Sequence, residues 1–207
     1  MKNIWYRFCK NKLAVAGFVI LMIFVILAVF APLIAPYDPF KMNPDNMLNA
    51  PSFKHWFGTD QFGRDILSRV IYGSRISFKV GIISVGISLL IGTTMGIFAG
   101  FYGGIIDGII SRIMDVMFSF PHILLALVIM AILGANLTNL MIAIGIVYIP
   151  IFGRIARGSV MSIKDNLYIE AADSIGVNNF IIMWRHILQN ILAPFIVQTT
   201  ISFGFAI

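Results

Sequence analysis

Charge is what this sequence has least of. Asp, Glu, Lys and Arg make up 12% of its 207 residues, against 59% hydrophobic, and the mean hydropathy is +0.92. An ordinary soluble domain carries about a quarter charged residues, so a water-soluble fold is excluded. The single cysteine, Cys9, excludes an internal disulfide. No G-x-x-x-x-G-K-[ST] loop, no H-E-x-x-H and no metal-spaced His/Cys cluster occurs, so the sequence offers no ATP-hydrolysing loop, no metal site and no cofactor. It also lacks a nucleophile–base constellation, which argues against an enzyme. The net charge of +6 comes without a soluble basic domain to hold a duplex, so nucleic acid is not an expected partner. Lys and Arg at the cytoplasmic ends of membrane spans explain that charge better.

What is present is apolar sequence in long runs, over residues 13–36, 76–101, 116–135, 137–153 and from about 187 onward. The first four have the length a helix needs to cross a hydrocarbon core of ~30 Å. Period-2 alternation, the mark of a membrane barrel strand, is missing. Only helices then satisfy the backbone in lipid, and the fold class is all-α: a polytopic transmembrane helical protein embedded in the bilayer. The first run, Leu13 to Ala35, is too long for the ~7–15 residues of a signal-peptide core and reads as an uncleaved anchor.

Lys2, Arg7, Lys10 and Lys12 place the N-terminus in the cytoplasm. Pro36 and Pro39 are expected to stop the first helix, leaving residues 37–75 outside. A short link with Asp107, Arg112 and Asp115 follows the second span, and Arg154 and Arg157 are expected at the cytoplasmic end of the fourth. Residues 158–186 then form a cytoplasmic loop. The chain divides into 1–75 (N-terminus, first span and outer segment) and 76–207 (the remaining spans with their loop). The fifth run barely reaches across and stops inside apolar sequence, which suggests an incomplete molecule.

Small residues recur every fourth position at Ser84, Ser88, Gly92, Gly96, Gly100 and Gly104. In lipid such a stripe lets helix backbones approach and gain dispersion contacts, so close helix packing is expected there. Pro121 and Pro150 are positioned to bend helices. His122, beside Pro121, is the one titratable group between Asp115 and Arg154, and reads as a positional polar residue rather than a proton relay. A secondary transporter would need ionisable groups at mid-membrane, which the spans lack.

The stretch YIEAADSIGVNN (168–179) interrupts the apolar pattern. Asn166 or Asp165 is placed to cap a helix through LYIEAADSI ending at Gly176, and Asn178 or Asn179 to cap a second helix, FIIMWRHIL. The result is a helical elbow in which Ala171 and Ala172 leave a surface without bulk and Glu170 offers a charge to a basic partner.

EAADSIG (170–176) resembles the EAA-x-x-x-G signature of the inner-membrane permease subunits of bacterial ABC importers. That pattern continues to H-I-L-P; here His186, Ile187 and Leu188 fit and Gln189 replaces the proline. FGTDQFGRDILSRVIYGSRISF (57–78), AGFYGG after the second span, FSFPHILLAL (118–127) and RHILQNILAPFIVQ (185–198) are similar to the second permease of dipeptide, oligopeptide or nickel importers. The resemblance implies the type I ABC importer permease fold, with five spans present of an expected six. It implies half of a translocation pathway for di- or oligopeptides, with nickel or a metal chelate as the alternative cargo. It further implies a homologous second permease, two cytoplasmic ATPase subunits and an extracytoplasmic substrate-binding protein as partners, in a bacterial cytoplasmic membrane. By the same resemblance Glu170, Ala171, Ala172 and Gly176 couple the permease to an ATPase, while Ser88, Gly92, Gly96 and Gly100 pack helices.

Overall fold

The structure is a computed structural model that describes Tyr6 and residues 8–207, so Lys2 and Arg7 lie outside the described residues. The chain is all-α. Its principal helices are α1 (Lys12–Val29), α2 (Ile66–Tyr102), α3 (Gly104–Phe118), α4 (His122–Leu133), α5 (Leu137–Ile163), α6 (Leu167–Ser174), α7 (Asn179–Asn190) and α8 (Leu192–Ala206). Three of them, α1, α2 and α5, are long and apolar enough to cross a membrane. The pairs α3–α4 and α7–α8, bent by 95° and 67°, raise the number of spans to five if each pair crosses as one broken span. The chain forms two compact units, residues 1–79 and 80–207.

In the first unit, Asn11 starts α1 by accepting the N–H groups of Leu13 and Ala14 at 3.1 and 3.3 Å. This helix is apolar on every side and buries only Ala28, as suits a helix whose solvent is lipid. It ends earlier than Pro36 and Pro39 suggested. The helix breaks at Phe30, two residues before Pro32, and a single turn, Ala31–Ile34, follows. The proline ring restricts the residue before it and lacks an N–H, which accounts for the break.

The segment between α1 and α2 is knotted around two carboxylates. Asp60 accepts the N–H groups of Phe62 and Arg64 at 2.8 and 3.0 Å, and pairs with the guanidinium groups of Arg64 and Arg69. Gly63 (φ 71°) closes this loop, because a side chain there would strike the carbonyl of Asn43. Asp65 accepts the N–H and hydroxyl of Ser68, both at 2.8 Å, and thereby caps α2. That cap explains why α2 begins at Ile66 rather than at residue 76, where the apolar run starts. The same hydroxyl accepts the Tyr37 N–H.

In the second unit the stripe on α2 lies against α5. The Ser84 hydroxyl donates to the Met141 carbonyl at 2.9 Å, and Ser88 is fully buried. A Cβ on Gly92 would meet the carbonyl of Ile149 and lie 2.9 Å from Phe152 Cβ. On Gly96 it would strike the carbonyl of Gly153 and Ala156 Cβ, and on Gly100 it would lie 2.8 Å from Val160 Cβ. Gly104 is not part of this contact: α2 has ended, and no atom stands within 4 Å of its would-be Cβ. Phe152, Ala156 and Val160 are wholly buried along the seam, and α5 runs through Pro150 without a break.

The expected link after α2 is instead a helix, α3. Its Asp107 holds Arg157 of α5 through two bonds, 2.5 Å to Nε and 2.7 Å to a terminal nitrogen, while Asp115 meets Arg154 at 2.7 Å. Arg154 also lies 4.0 Å above the Phe118 ring. These arginines do not end the helix, because α5 continues to Ile163 and takes the first residues of the expected loop with it. The run over residues 116–135 is likewise not one helix. It turns at Ser119–Pro121, where Pro121 serves as the N-cap position of α4.

Three outcomes follow from these contacts. Gly96→Leu has a backbone carbonyl in its way, so destabilisation at or above the ~1–3 kcal/mol usual for overpacking is expected in thermal melts of the purified protein. Double-mutant cycles should separate the two ion pairs: coupling of ~0.5–3 kcal/mol for the forked Asp107–Arg157 pair, and ~0–1 kcal/mol for the half-exposed Asp115–Arg154 pair. The third outcome concerns acid. Desolvation pushes the Asp60 carboxyl up, but the N–H groups of Arg64 and Phe62 and the Arg64 guanidinium outweigh it and hold it at about 2, against 3.8 ordinarily. Its stabilisation is therefore complete above pH ~4 and lost as pH falls towards ~2. Melting followed by tryptophan fluorescence should show this loss, and Asp60→Asn should flatten it.

Candidate functional site

The elbow is built from backbone hydrogen bonds at its corner. α6 begins after Asn166, whose carbonyl receives the Ile169 N–H at 2.8 Å; neither its side chain nor that of Asp165 caps the helix. At the far end the Gly176 N–H bonds the Asp173 carbonyl at 2.9 Å and the Val177 N–H bonds the Ala172 carbonyl at 3.0 Å. This doubled closure needs a left-handed residue at Gly176, where φ is 77°. Asn178, rather than Asn179, then caps α7 by accepting the Phe180 N–H at 2.8 Å.

The two faces of α6 differ. Ile169 and Ala172 are buried, at 5% and 7% exposure, in a core cluster with Val160, Ile182, Met183 and Ile187. Glu170, Ala171 and Gly176 are exposed. The elbow residues Glu170, Ala171, Ala172 and Gly176 are thus together in one corner, but Ala172 points inward. Its small side chain serves the fit of α6 onto the bundle. The packing residues Ser88, Gly92, Gly96 and Gly100 lie apart, on the α2 seam. Val160 joins the two groups: it fills the space beside Gly100 and belongs to the cluster that receives Ile169 and Ala172.

Two exposed residues on α6 escaped the reading of the sequence. Leu167 and Ile175 are 82% and 80% exposed, and with Ala171 they fall four apart along the same side of the helix end. The i, i+4, i+8 spacing was the signal available. Glu170 makes no ion pair with any described residue; with Lys164, Asp165, Asp173 and Asn179 it edges a polar recess of about 580 Å³. An apolar ridge beside an unpaired carboxylate can seat a protein surface.

Beyond the corner, residues Ile182–Ile187 form a stretch of π-helix. Such wider turns are found mostly as single insertions within α-helices, often at functional positions. Among the described residues no group of three or more His, Cys, Asp or Glu side chains could hold a metal ion.

Comparison with known proteins gives this geometry a family. Residues 1–51 match the N-terminal TM domain of oligopeptide transport permease C. Residues 92–207 match the binding-protein-dependent transport system inner membrane component. The dipeptide transport system permease protein DppC of Alkalihalophilus pseudofirmus is 52% identical over 198 residues, covering 96% of this chain and 65% of that protein. The glutathione transport system permease protein GsiD of Escherichia coli O157:H7 is 42% identical over 204 residues, covering 98% of this chain and 67% of that protein. The chain spans about two thirds of the length of these curated relatives. With its several apolar helices it is a multi-pass protein of the inner membrane, and it belongs to the family of binding-protein-dependent transport system inner membrane components.

Proposed function

We propose that this chain is the permease subunit of an ATP-driven peptide importer and contributes half of the translocation pathway. The observation that carries the reading is the 52% identity to a dipeptide permease, which runs over 96% of the chain and includes the elbow. The relatives named above are permeases for a dipeptide and for glutathione, itself a peptide, and this favours peptide over nickel or a metal chelate as cargo. A homologous permease supplies the other half, and a binding protein delivers peptide from outside. Hydrolysis is the work of two separate ATPase subunits, since this chain carries no phosphate loop. The N-terminus and the elbow are cytoplasmic in this reading, which agrees with Lys10 just before α1 and Lys12 at its first position.

The proposed role of the elbow is mechanical. Its exposed side, with Glu170, Ala171, Leu167 and Ile175, seats in an ATPase, while Ile169 and Ala172 fix it to the bundle. Closure of the ATPases then moves the bundle as one body and opens the pathway alternately to the two sides. Gly176 holds the corner rigid enough to transmit that movement.

Mutations on the two faces of α6 should have different consequences. Glu170→Arg reverses a charge at a contact where truncating one partner of a pair costs ~2–5 kcal/mol, so more than tenfold loss of ATPase retention is expected. Ala171→Trp should act likewise by bulk. Both variants should insert and melt normally, because neither side chain is buried. Ala172→Trp should instead destabilise the permease itself. ATPase co-purification, melting and ATP-dependent dipeptide uptake, measured on the three variants with all subunits co-expressed, provide the check. Normal retention and uptake in Glu170→Arg and Ala171→Trp would refute the coupling role.

A further inference from the structure

The segment between α1 and α2 contains a cavity of about 410 Å³ that the import reading leaves unused. His55 stands in its wall, only 7% exposed, with its ring 4.8 Å from that of Tyr37. Its Nδ1 is 2.9 Å from Asp65 Oδ1. The other Asp65 oxygen is already occupied by the N–H and hydroxyl of Ser68. Desolvation would raise the Asp65 carboxyl, but the Ser68 N–H and His55 outweigh it and hold it below the usual carboxylate range. Asp65 is therefore ionised and accepts a hydrogen bond from the Nδ1–H group, which fixes that nitrogen as a donor. Nε2 is buried and has no hydrogen-bond partner among the described residues.

The valences left open in this cavity are chiefly donors. Asn43 spends its side-chain oxygen on the Asp45 N–H, at 3.2 Å. Asn46 spends its own on Asn49 Nδ2, at 3.3 Å. Neither NH₂ group donates a hydrogen bond to any described residue. Lys41 and Lys54 also line the cavity, and neither is in an ion pair with any described residue. Against these stands Asp38, one of whose oxygens already receives the Phe40 N–H at 2.8 Å. The titratable groups around His55 are thus Asp38, Lys41, Lys54, Asp65 and the Tyr37 phenol.

We propose that this cavity is a carboxylate-binding site, in which His55 takes a proton on Nε2 as the anion enters. With the cavity empty, a protonated Nε2 would be a buried N–H without an acceptor, a rare and costly state. A carboxylate supplies the acceptor, and its second oxygen is free for a lysine ammonium. A dianion suits the cavity less well, because Asp38 shares the wall. The carboxylate can come from a free peptide's C-terminus or from an acidic side chain of a protein that docks on this segment.

The test is a ¹⁵N-histidine NMR titration of the full chain assembled with its partner subunits in nanodiscs, with the His55 signal identified by its loss in His55→Gln. Sodium acetate should raise the midpoint pH of His55 by about one unit relative to sodium chloride at equal ionic strength, because an opposite charge favours the charged form. Lys41→Gln combined with Lys54→Gln should abolish that shift while leaving the tryptophan-fluorescence melt in place. Alanyl-alanine acting at lower concentration than acetate identifies a free peptide as the source. Acetate acting alone identifies an acidic side chain. Equal midpoints in chloride, acetate and dipeptide would overturn the site. The titration is independent of the elbow variants, so failure here leaves the import reading intact, and the converse also holds.

Discussion

The second unit depends on how closely two backbones approach. Along one side of α2 the every-fourth residues Ser84, Ser88, Gly92, Gly96 and Gly100 present nothing larger than a hydroxymethyl group, and α5 answers with Gly145 beneath Ile87 and with Gly153 and Ala156 beside Gly96. Lipid tails are as apolar as leucine, so burial from lipid gives these helices little reason to associate. What holds them is dispersion between closely fitted surfaces, with few polar bonds; the Ser84 hydroxyl on the Met141 carbonyl is one. Dispersion falls steeply with separation, so a small gap along the seam forfeits much of the attraction. The contact tolerates little adjustment, and that stiffness is what the proposed movement of the bundle as one body would require.

The elbow inherits this stiffness. Its inward side chains share a cluster with Val160, and Val160 is held by the seam. Charge supplements the arrangement on α3, where Asp107 and Asp115 engage the two arginines of α5. A guanidinium is costly to leave unpaired where it is partly buried, and the fork between Asp107 and Arg157 satisfies it from within the chain.

Much of this was legible in the sequence, and the failures have physical causes. The small-residue stripe could be read because period four survives from a string of letters to a helix surface. Gly176 and the Asn178 cap could be read because their backbone preferences are local, whereas the side-chain cap expected from Asn166 or Asp165 does not form. Hydropathy placed the apolar runs but not the helix limits. A run says which residues lipid tolerates, whereas a helix also extends into water wherever caps and ion pairs support it. Asp65 therefore starts α2 well before the apolar run, and α5 continues past Arg157. The sharp turn at Ser119–Pro121 falls where Pro121 was expected to bend a helix, although hydropathy alone shows a single run there: proline hardly alters hydropathy but removes a backbone donor. The pairing of His55 with Asp65 was not legible at all. Nothing in a spacing of ten residues indicates which of several acids a histidine will find.

Ala171 and Ala172 are adjacent identical letters, yet one faces outward and the other lies inside the fold. Any substitution at the inner alanine is judged first by the permease's own packing, before a partner ever meets it. At the outer alanine the fold sets no such test, and under the coupling proposed above a partner would meet the substitution first. Under the coupling proposed above, a short signature of this kind would combine two unlike constraints in neighbouring positions. Interface maps drawn from its letters alone will credit the partner with constraints that belong to the fold.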